Sequence, residues 1–304
     1  MKPTRPKKLP CEIRVESGIL KQSGALLSPP DKSARRFLFL CDLPDTDPAP
    51  SILLKSLQKA GQTVTREADE ADGFDAILAV GDTKPLENAL RHATDRFPGV
   101  PLALVPTTFP AQLGFPLSDG VGLVLCDPSL PVNEAETRLG VAELIRYGVG
   151  FDRLLLDLLY TDFDRAPLIR RCLTIRCDLF DAGKTDLLDL LGAPLGQAVE
   201  TALAKRDPAN DFDPADALSV GLAMATRYAL KSGFCRRDFL SELVGLLSYH
   251  GLPNSALLPD EEVIASLRVN AQAVEKTVLS LPRRPGECGL LDINPDSLTG
   301  LLPA

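Results

Sequence analysis

The sequence predicts an α/β fold with a parallel sheet in its first part and a mainly α-helical fold in the remainder. The first observation is that short apolar segments of strand length alternate with segments of helical period up to about residue 130. The second is that almost continuous helical patterns follow from there to the end. We therefore predict two domains, 1–130 and 131–304, and expect ligands beyond the carboxyl ends of the strands.

Five segments of the first domain have the patterns of strands. Alternation of apolar and polar residues predicts a half-buried first strand, and continuous apolar runs predict buried parallel strands after it. These segments read CEIRVESG, RRFLFLCD, FDAILAVGD, VPLALVPTT and GVGLVLCDPSL. Two helices are predicted between these strands. SILLKSLQKAG ends with Gly61 as a C-cap, and PLENALRHATDRF begins with Pro85. This alternation is typical of a Rossmann-like, nucleotide-binding-like domain.

The second domain begins with a helix in NEAETRLG, where Asn133 and Glu136 have the spacing of a capping box. Further helices are predicted in FDRLLLDLLY, LIRRCLTIRCDLF, GQAVETALAK, ADALSVGLAMATRYALKSG, RRDFLSELVGLLSYHG and PDEEVIASLRVNAQAVEKTVLSL. A strand-like GLLDI and a short helix in NPDSLTGLL complete it. The first nine residues and the stretch LPDTDPAP are the candidates for disorder.

Composition argues against several classes of function. The 304 residues carry a net charge of −8 and no Trp, and no basic stripe is interleaved with aromatic residues, so nucleic-acid binding is not expected. No apolar run approaches the roughly 18 residues that a membrane-spanning helix needs. The basic start leads into no apolar segment of a signal peptide.

The cysteines and histidines indicate neither disulfides nor a zinc cluster. Seven cysteines are scattered without a C-x-x-C motif, and the chain has two histidines. Reduced thiols in a cytoplasmic protein are therefore expected. His92, on a charged helix face, is predicted to be solvated, and His250 is predicted to be an imidazolium at a helix carboxyl end.

Several motifs stand in a recognisable order along the chain, namely VPTTFPAQ, VLCDPSLP, VAELIRYG and the terminal GLP and DINPDSL. They resemble those of the 3-dehydroquinate synthase family, the sugar-phosphate cyclases related to glycerol dehydrogenases, and follow in that family's order. VPTTFPAQ is similar to the family's V-P-T-T-x-x-A-Q, VLCDPSLP to its V-L-I-D-P and VAELIRYG to its A-E-x-I-K-Y-G. The resemblance runs almost end to end and implies a dehydroquinate synthase-like fold, commonly found as a homodimer.

The resemblance implies a reaction in which NAD transiently oxidises an alcohol, phosphate leaves and the sugar closes to a carbocycle. A divalent metal, usually zinc, is held by one Glu and two His. Glu143 matches the Glu and is the only ligand retained. Where the family has F-G-H-T-x-G-H-A-x-E the chain has LGAPLGQAVE, with Ala193 at the ligand position and Gln197 at the second His of the motif. Pro214 stands where the other His ligand belongs. We therefore expect no metal site.

The residues that handle phosphate in the family are also replaced. Its late D-K-K reads Asn270, Ala271 and Gln272, and a basic position reads Asp186. Only Arg146, in the place of the Lys of A-E-x-I-K-Y-G, keeps a cation. Glu143 and Arg146 are thus the candidate catalytic residues. In isolation their spacing is that of a surface ion pair worth a few tenths of a kcal/mol.

Five residues stand where the family binds NAD. Asp42 takes the place of the acid that meets the ribose, and Gly81 lies in the pyrophosphate loop. Thr107, Thr108 and Asp127 are retained, but each also has a structural explanation, at a strand end or at a turn. Asp82 follows Gly81 and puts a negative charge beside the diphosphate, and a short acidic segment replaces a helical hairpin just before this strand. NAD is an open alternative, and no cofactor is expected.

Three functions agree with these residues. The first is a degenerate family member that acts as a pseudoenzyme, a ligand-binding protein or a partner subunit. The second is an active, repurposed cyclase or lyase without metal, with Glu143 as general base and Arg146 holding an anion. The third is an authentic 3-dehydroquinate synthase. The expected partners are a small phosphorylated or carboxylated ligand in the interdomain cleft and a second copy of the chain.

Overall fold

The computed structural model describes residues 7, 11–28, 34–66, 73–118, 120–161, 163–207, 212–272 and 275–302. Most of the first nine residues and most of the acidic segment around residues 66–75, both singled out above, lie outside these ranges. The chain divides into two compact units. The first comprises Met1–Asn133 and Asp164–Ala182, and the second Glu134–Phe163 and Gly183–Ala304.

A six-stranded, entirely parallel sheet forms the centre of the first unit, in the order β1-β6-β5-β4-β2-β3. The strands are β1 (Glu12–Val15), β2 (Arg36–Cys41), β3 (Thr63–Thr65), β4 (Ala76–Gly81), β5 (Leu102–Pro106) and β6 (Val121–Cys126). All five predicted strands are present. The edge strand β3 was missed, because three residues containing two threonines give too short an apolar signal.

The central strands are buried on both faces, which is typical of a parallel sheet. Every residue of β4 is buried, and β5 is buried throughout, as expected where helices cover both faces. In register, Gly81 at the end of β4 lies opposite Pro106 at the end of β5, so the strands end together at one edge. The connecting helices are α1 (Ser23–Leu27), α2 (Pro48–Lys59), α3 (Thr83–Arg96) and α4 (Phe109–Gly114).

One further helix, α7 (Arg165–Ala182), belongs to the first unit although it follows the predicted boundary at residue 130. The Arg170 guanidinium donates two hydrogen bonds to the carbonyl of Val15, at 3.2 and 2.7 Å. Arg165 donates another, 2.9 Å long, to the carbonyl of Leu130. Because these contacts join residues far apart in sequence, the boundary prediction could not anticipate them.

The second unit is mainly helical. Its helices are α5 (Glu134–Gly150), α6 (Arg153–Leu158), α8 (Asp186–Asp189), α9 (Ala193–Arg206), α10 (Pro214–Lys231), α11 (Arg237–Tyr249) and α12 (Asp260–Asn270). Helix α10 is buried on nearly every face and is the core of the unit. No helix among the described residues of either unit is long and apolar enough to cross a membrane.

The end of the second unit differs from the prediction. The predicted helix over 259–281 stops at Asn270, and the chain then forms an antiparallel hairpin of β7 (Thr277–Arg284) and β8 (Glu287–Ile293). Leu279 and Leu281 are buried, and the backbone N–H of Ser280 donates to the carbonyl of Leu190. These tertiary contacts override the helical pattern of the segment.

Candidate functional site

The five residues predicted to bind a cofactor lie along one edge of the parallel sheet. Asp42 follows β2, Gly81 ends β4, Thr107 and Thr108 follow β5, and Asp127 follows β6. Since these strands are neighbours in the order β6-β5-β4-β2, their carboxyl ends form a continuous row. This is the edge at which open α/β sheets bind ligands.

The Asp82 carboxylate occupies the amino end of α3. Its Oδ1 atom accepts a 2.7 Å hydrogen bond from the backbone N–H of Thr83 and another, also 2.7 Å, from the Thr108 hydroxyl. A helix amino end binds an anion through N–H groups that have no other partner. Here the protein's own carboxylate already takes one of those donors and brings a negative charge.

The remaining donors of this helix end are few. Pro85, the third residue of α3, has no N–H, and the Leu86 N–H donates to the carbonyl of Asp82. Of the backbone N–H donors in the first turn of α3, that of Lys84 is the one that remains for a ligand. The diphosphate of a dinucleotide needs several such donors at once, so these residues do not fit it.

Gly81 is needed for packing rather than for an approach by a ligand. A Cβ at this position would lie 2.9 Å from Cβ of Pro85 and 3.4 Å from Oδ1 of Asp42. In a dinucleotide-binding loop the bare face of a glycine is open to the phosphate. Here the Pro85 ring covers that face, so any larger residue at position 81 would clash with it.

Asp127 is buried and fully engaged by neighbouring groups. Its Oδ1 accepts from Gly18 N at 2.8 Å and from the Ser129 hydroxyl at 2.6 Å, and its Oδ2 accepts from Leu20 N at 3.3 Å. It therefore joins the end of β6 to the turn that follows β1. Thr108 similarly caps α4 by accepting from Ala111 N. These contacts agree with the structural explanations that the sequence suggested.

Glu143 and Arg146 lie on α5 of the second unit and contact each other. Their ion pair measures 2.6 Å, and the side chains are only 19% and 12% exposed, so it is not the surface pair that the spacing alone suggested. Arg146 Nε is buried and has no hydrogen-bond partner among the described residues. The Glu143 carboxylate is thus neutralised by a residue one helical turn away.

The two positions that match the family's His ligands lie at the starts of two helices. Ala193 begins α9 and Pro214 begins α10, while Gln197, at the motif's further His, lies one turn into α9. None of these three side chains supplies the imidazole that a zinc site of this kind needs. Within the described ranges, no three or more His, Cys, Asp or Glu side chains are placed to hold a metal ion. The residues present therefore do not fit the family's metal.

A charged cluster that the sequence did not suggest joins α5 to the start of α10. Arg138 bonds Asp213 at 3.2 Å and Asp216 at 2.5 Å, and it donates to the carbonyl of Gly251 at 3.1 Å. Burial raises the pKa of Asp216, while the nearby Arg138 opposes that rise. Because the partners are separated by about 75 residues, no local spacing could have indicated the cluster.

Both histidines differ from their predicted settings. His92 is partly buried, and its ring lies against that of Phe97, with the two centroids 5.8 Å apart. His250 caps the end of α11, and its Nε2 lies 3.0 Å from the carbonyl oxygen of Leu159. Burial lowers the pKa of His250 despite that bond, so the ring is neutral near pH 7 rather than an imidazolium.

No protein-family model matches the chain. A curated 3-dehydroquinate synthase of Pelobacter propionicus is 28% identical over 188 residues, covering 51% of each chain, so this chain spans about half the length of that relative. Another, of Symbiobacterium thermophilum, is 26% identical over 348 residues and covers 94% of this chain and 95% of its own.

Among solved structures, a 2-deoxy-scyllo-inosose synthase complexed with carbaglucose-6-phosphate, NAD+ and Co2+ has a similar fold. Its TM-score is 0.74, with 16% sequence identity and coverage of 95% of both chains. This likeness concerns the fold, while the curated relatives supply the relationship in sequence. In sequence the chain is therefore similar to 3-dehydroquinate synthases, and in fold it is similar to a 2-deoxy-scyllo-inosose synthase.

Proposed function

We propose that this chain is a member of the 3-dehydroquinate synthase family that has lost the metal- and NAD-dependent cyclisation and serves as a pseudoenzyme, a ligand-binding protein or a partner subunit. The observation that carries the proposal is the closed ion pair between Glu143 and Arg146. Glu143 is the one metal ligand of the family that the chain retains, and its carboxylate is held at 2.6 Å by a guanidinium.

The geometry of this pair opposes metal binding. The family has a Lys in the place of Arg146, so a positive charge here does not by itself exclude a metal. The Arg146 guanidinium instead holds a Glu143 oxygen at 2.6 Å, and a metal would have to displace it. Ala193 and Pro214 stand at the positions of the two His ligands and supply no bonds to a metal. A single carboxylate that is already paired is a poor zinc site.

The first unit supports the same proposal. Asp82 and Pro85 remove donors from the amino end of α3, where a diphosphate would bind. Loss of NAD removes the oxidant on which the family's reaction depends, independently of the metal. Two separate parts of the chemistry are therefore missing from two separate units.

Arg146 Nε supports one alternative, a repurposed enzyme without metal. This atom is buried and has no hydrogen-bond partner among the described residues, so Arg146 retains a donor for an anion. In that case Glu143 would act as general base on a phosphorylated or carboxylated substrate. Glu143→Gln would then abolish turnover of that substrate, whereas our proposal expects no turnover to abolish.

The deciding experiment measures metal and turnover on the same sample. The purified chain is incubated with Zn2+ or Co2+ and dialysed. Bound metal is then counted, and dehydroquinate formation from the phosphorylated heptulosonate precursor is assayed with NAD present. We expect substoichiometric metal and no product. Stoichiometric metal together with turnover would show an authentic synthase and overturn the proposal.

A matched variant checks that the metal assay can detect a site. Ala193→His/Pro214→His returns imidazoles to the starts of α9 and α10 without touching Glu143. We expect this variant to bind Co2+ more strongly than the parent chain, and more strongly still when Arg146→Lys is added. Equal binding by all three proteins would mean that the missing ligands are not what limits metal affinity.

We also propose a cytoplasmic location and a homodimer. All seven cysteines are free thiols, and most are buried, which suits a reducing compartment. Light scattering on the purified chain tests the dimer, since a monomer mass at micromolar concentration would contradict it.

A further inference from the structure

A cavity of about 300 Å³ lies at the amino end of β5, in the first unit. It is enclosed by the last turns of α3, the loop from Phe97 to Val100, and Gly120, which precedes β6. Leu102, the first residue of β5, also lines it, and Pro106 at the other end of that strand is about 13 Å further along. The cavity is therefore at the opposite edge of the sheet from the positions that match the family's NAD site.

The floor and walls of this cavity are apolar. Ala93, Phe97 and Leu102 line it and are buried. Leu90 and Val100 line it at half-buried positions. The aliphatic side chains offer surface on which a flat ring can lie, and the Phe97 ring offers an offset or edge-to-face contact to another ring. Such a lining favours an apolar, aromatic ligand.

The lining carries no charge. None of the described residues that form it is ionisable, and its one polar side chain is that of Thr94. The Thr94 hydroxyl already donates to the carbonyl of Leu90 at 2.9 Å. These side chains therefore offer no donor to an anion and no carboxylate to a cation. Because it is costly to take a charge out of water without such a partner, the cavity selects uncharged ligands.

Two glycines stand at the mouth of the cavity. Gly99 and Gly120 line it with φ angles of +85° and +94°, which favour glycine over other residues. A Cβ at either position would meet nothing within 4 Å, so the space beside both residues is open. A ligand can enter there without displacing a side chain.

The volume sets the size of the ligand. An apolar cavity of about 150 Å³ holds one benzene ring. This cavity, of about 300 Å³, has twice that volume. We infer that it binds a small, uncharged aromatic molecule of two fused rings. The inference is independent of the proposed loss of metal and NAD, because no position that matches a ligand of either lines the cavity.

Fluorescence titration of the full chain with indole tests the inference. The chain has no Trp, so indole can be excited where the protein contributes little, and its emission shifts to shorter wavelength in apolar surroundings. We expect saturable binding with a dissociation constant of about 0.1–1 mM. Absence of saturable binding would overturn the inference.

Two charged analogues test the selectivity. Indole-3-acetate carries a negative charge and tryptamine a positive one on the same ring system. Each should bind at least about tenfold more weakly than indole, since the lining supplies a partner for neither charge. If either analogue bound as tightly as indole, the selection of uncharged ligands would be wrong.

Two variants locate the site. Val100→Glu places a carboxylate in the cavity wall and should weaken indole binding at least about tenfold. Val278→Glu makes the same change on β7, where the side chain is 39% exposed and lies outside the cavity, and indole affinity should not change. Circular dichroism establishes that both variants are folded. Equal affinities in the two variants would overturn the assignment to this cavity.

A measurement on the unaltered chain gives the same answer without a substitution. With methyl-labelled protein and saturating indole, nuclear Overhauser effects should join the indole ring to the methyl groups of Leu90 and Val100. Their absence would overturn the assignment. Light scattering should give the same mass with and without indole. A fall from dimer to monomer would show that a second copy of the chain covers the cavity, which would also overturn the inference.

Discussion

The Asp82 carboxylate is a helix cap and a repulsive charge at the same time. It stabilises α3 by bonding Thr83 N, and it joins that helix to the end of β5 through the Thr108 hydroxyl. The same oxygen accepts from Thr83 N, a donor that a phosphate at this helix end would need. The charge conflict could be predicted from the sequence, but the bond to Thr108, 26 residues away, could not.

Glu143 and Arg146 show what spacing does and does not determine. Their separation of three residues on a helix predicts a contact, and the contact is present. Spacing cannot determine the burial of the pair, because burial depends on the residues that other helices place around α5. A largely buried pair costs more to break than a surface pair, since the remaining charge loses its partner where water is scarce.

His250 predicts a pH dependence of stability. Its folded pKa lies below its ordinary value because burial disfavours the charged ring. The folded state therefore binds fewer protons than the unfolded state. The stability that the neutral ring contributes is fully present above the unfolded pKa and is lost as the pH falls through the folded pKa.

Urea unfolding at several pH values measures this effect. Between about pH 7.5 and pH 5, the unfolding free energy of the parent chain should fall more steeply than that of His250→Gln. The Gln amide can still donate to the Leu159 carbonyl but does not titrate. Parallel pH profiles for the two proteins would mean that His250 does not contribute.

At the scale of elements, the pair α9 and α10 keeps the family's glycines while losing its histidines. Gly196 lies in the segment that matches F-G-H-T-x-G-H-A-x-E, and a Cβ there would clash with the backbone carbonyl of Ala217 on α10. The two helices approach so closely that only glycine fits. The motif therefore combines a packing requirement with a chemical one, and this chain retains the packing.

Gly196→Ala should consequently destabilise the chain strongly. The new methyl group must displace a backbone carbonyl rather than the end of a flexible side chain, and we expect a loss of at least about 1–3 kcal/mol. Thermal or urea unfolding of the variant measures the loss.

Gly245→Ala is the matched control. Gly245 is exposed in the middle of α11, and a Cβ there would meet nothing within 4 Å. Alanine should raise stability by about 0.5–1 kcal/mol, because it restricts the unfolded chain and favours the helix. If the two variants unfolded alike, close helix packing at Gly196 would not be the reason for its retention.

At the scale of the whole molecule, the chain leaves the first unit at Asn133 and returns to it with α7. The apolar residues Ile169, Cys172 and Leu173 of this helix are buried, and Arg170 bonds the end of β1. The first unit is therefore incomplete without a segment that lies beyond the apparent boundary in the sequence. The unit is defined by segments that pack together in space, although residues 1–133 and 164–182 are separate in sequence.

A fragment of residues 1–133 should accordingly fail to fold cooperatively. It lacks α7 and would expose the apolar surface that this helix covers. A second fragment, in which a flexible linker joins residues 1–133 to 164–182, should unfold with a cooperative transition in circular dichroism. Cooperative unfolding of the shorter fragment would show that α7 is dispensable.

By itself, the sequence determined the fold class and the resemblance to 3-dehydroquinate synthases, because strand and helix periodicities and motif order depend on residues close together in the chain. From the order of the family's motifs it also predicted that the metal ligands other than Glu143 and the phosphate lysines are replaced, since the residue at each matched position is visible without coordinates. The C-terminal hairpin and the placement of α7 could not be predicted, because both depend on contacts between distant segments. Only the tertiary structure decided that the ion pair of Glu143 with Arg146 is largely buried and that the Pro85 ring covers Gly81. The physical reason is that burial is set by the packing of neighbouring elements.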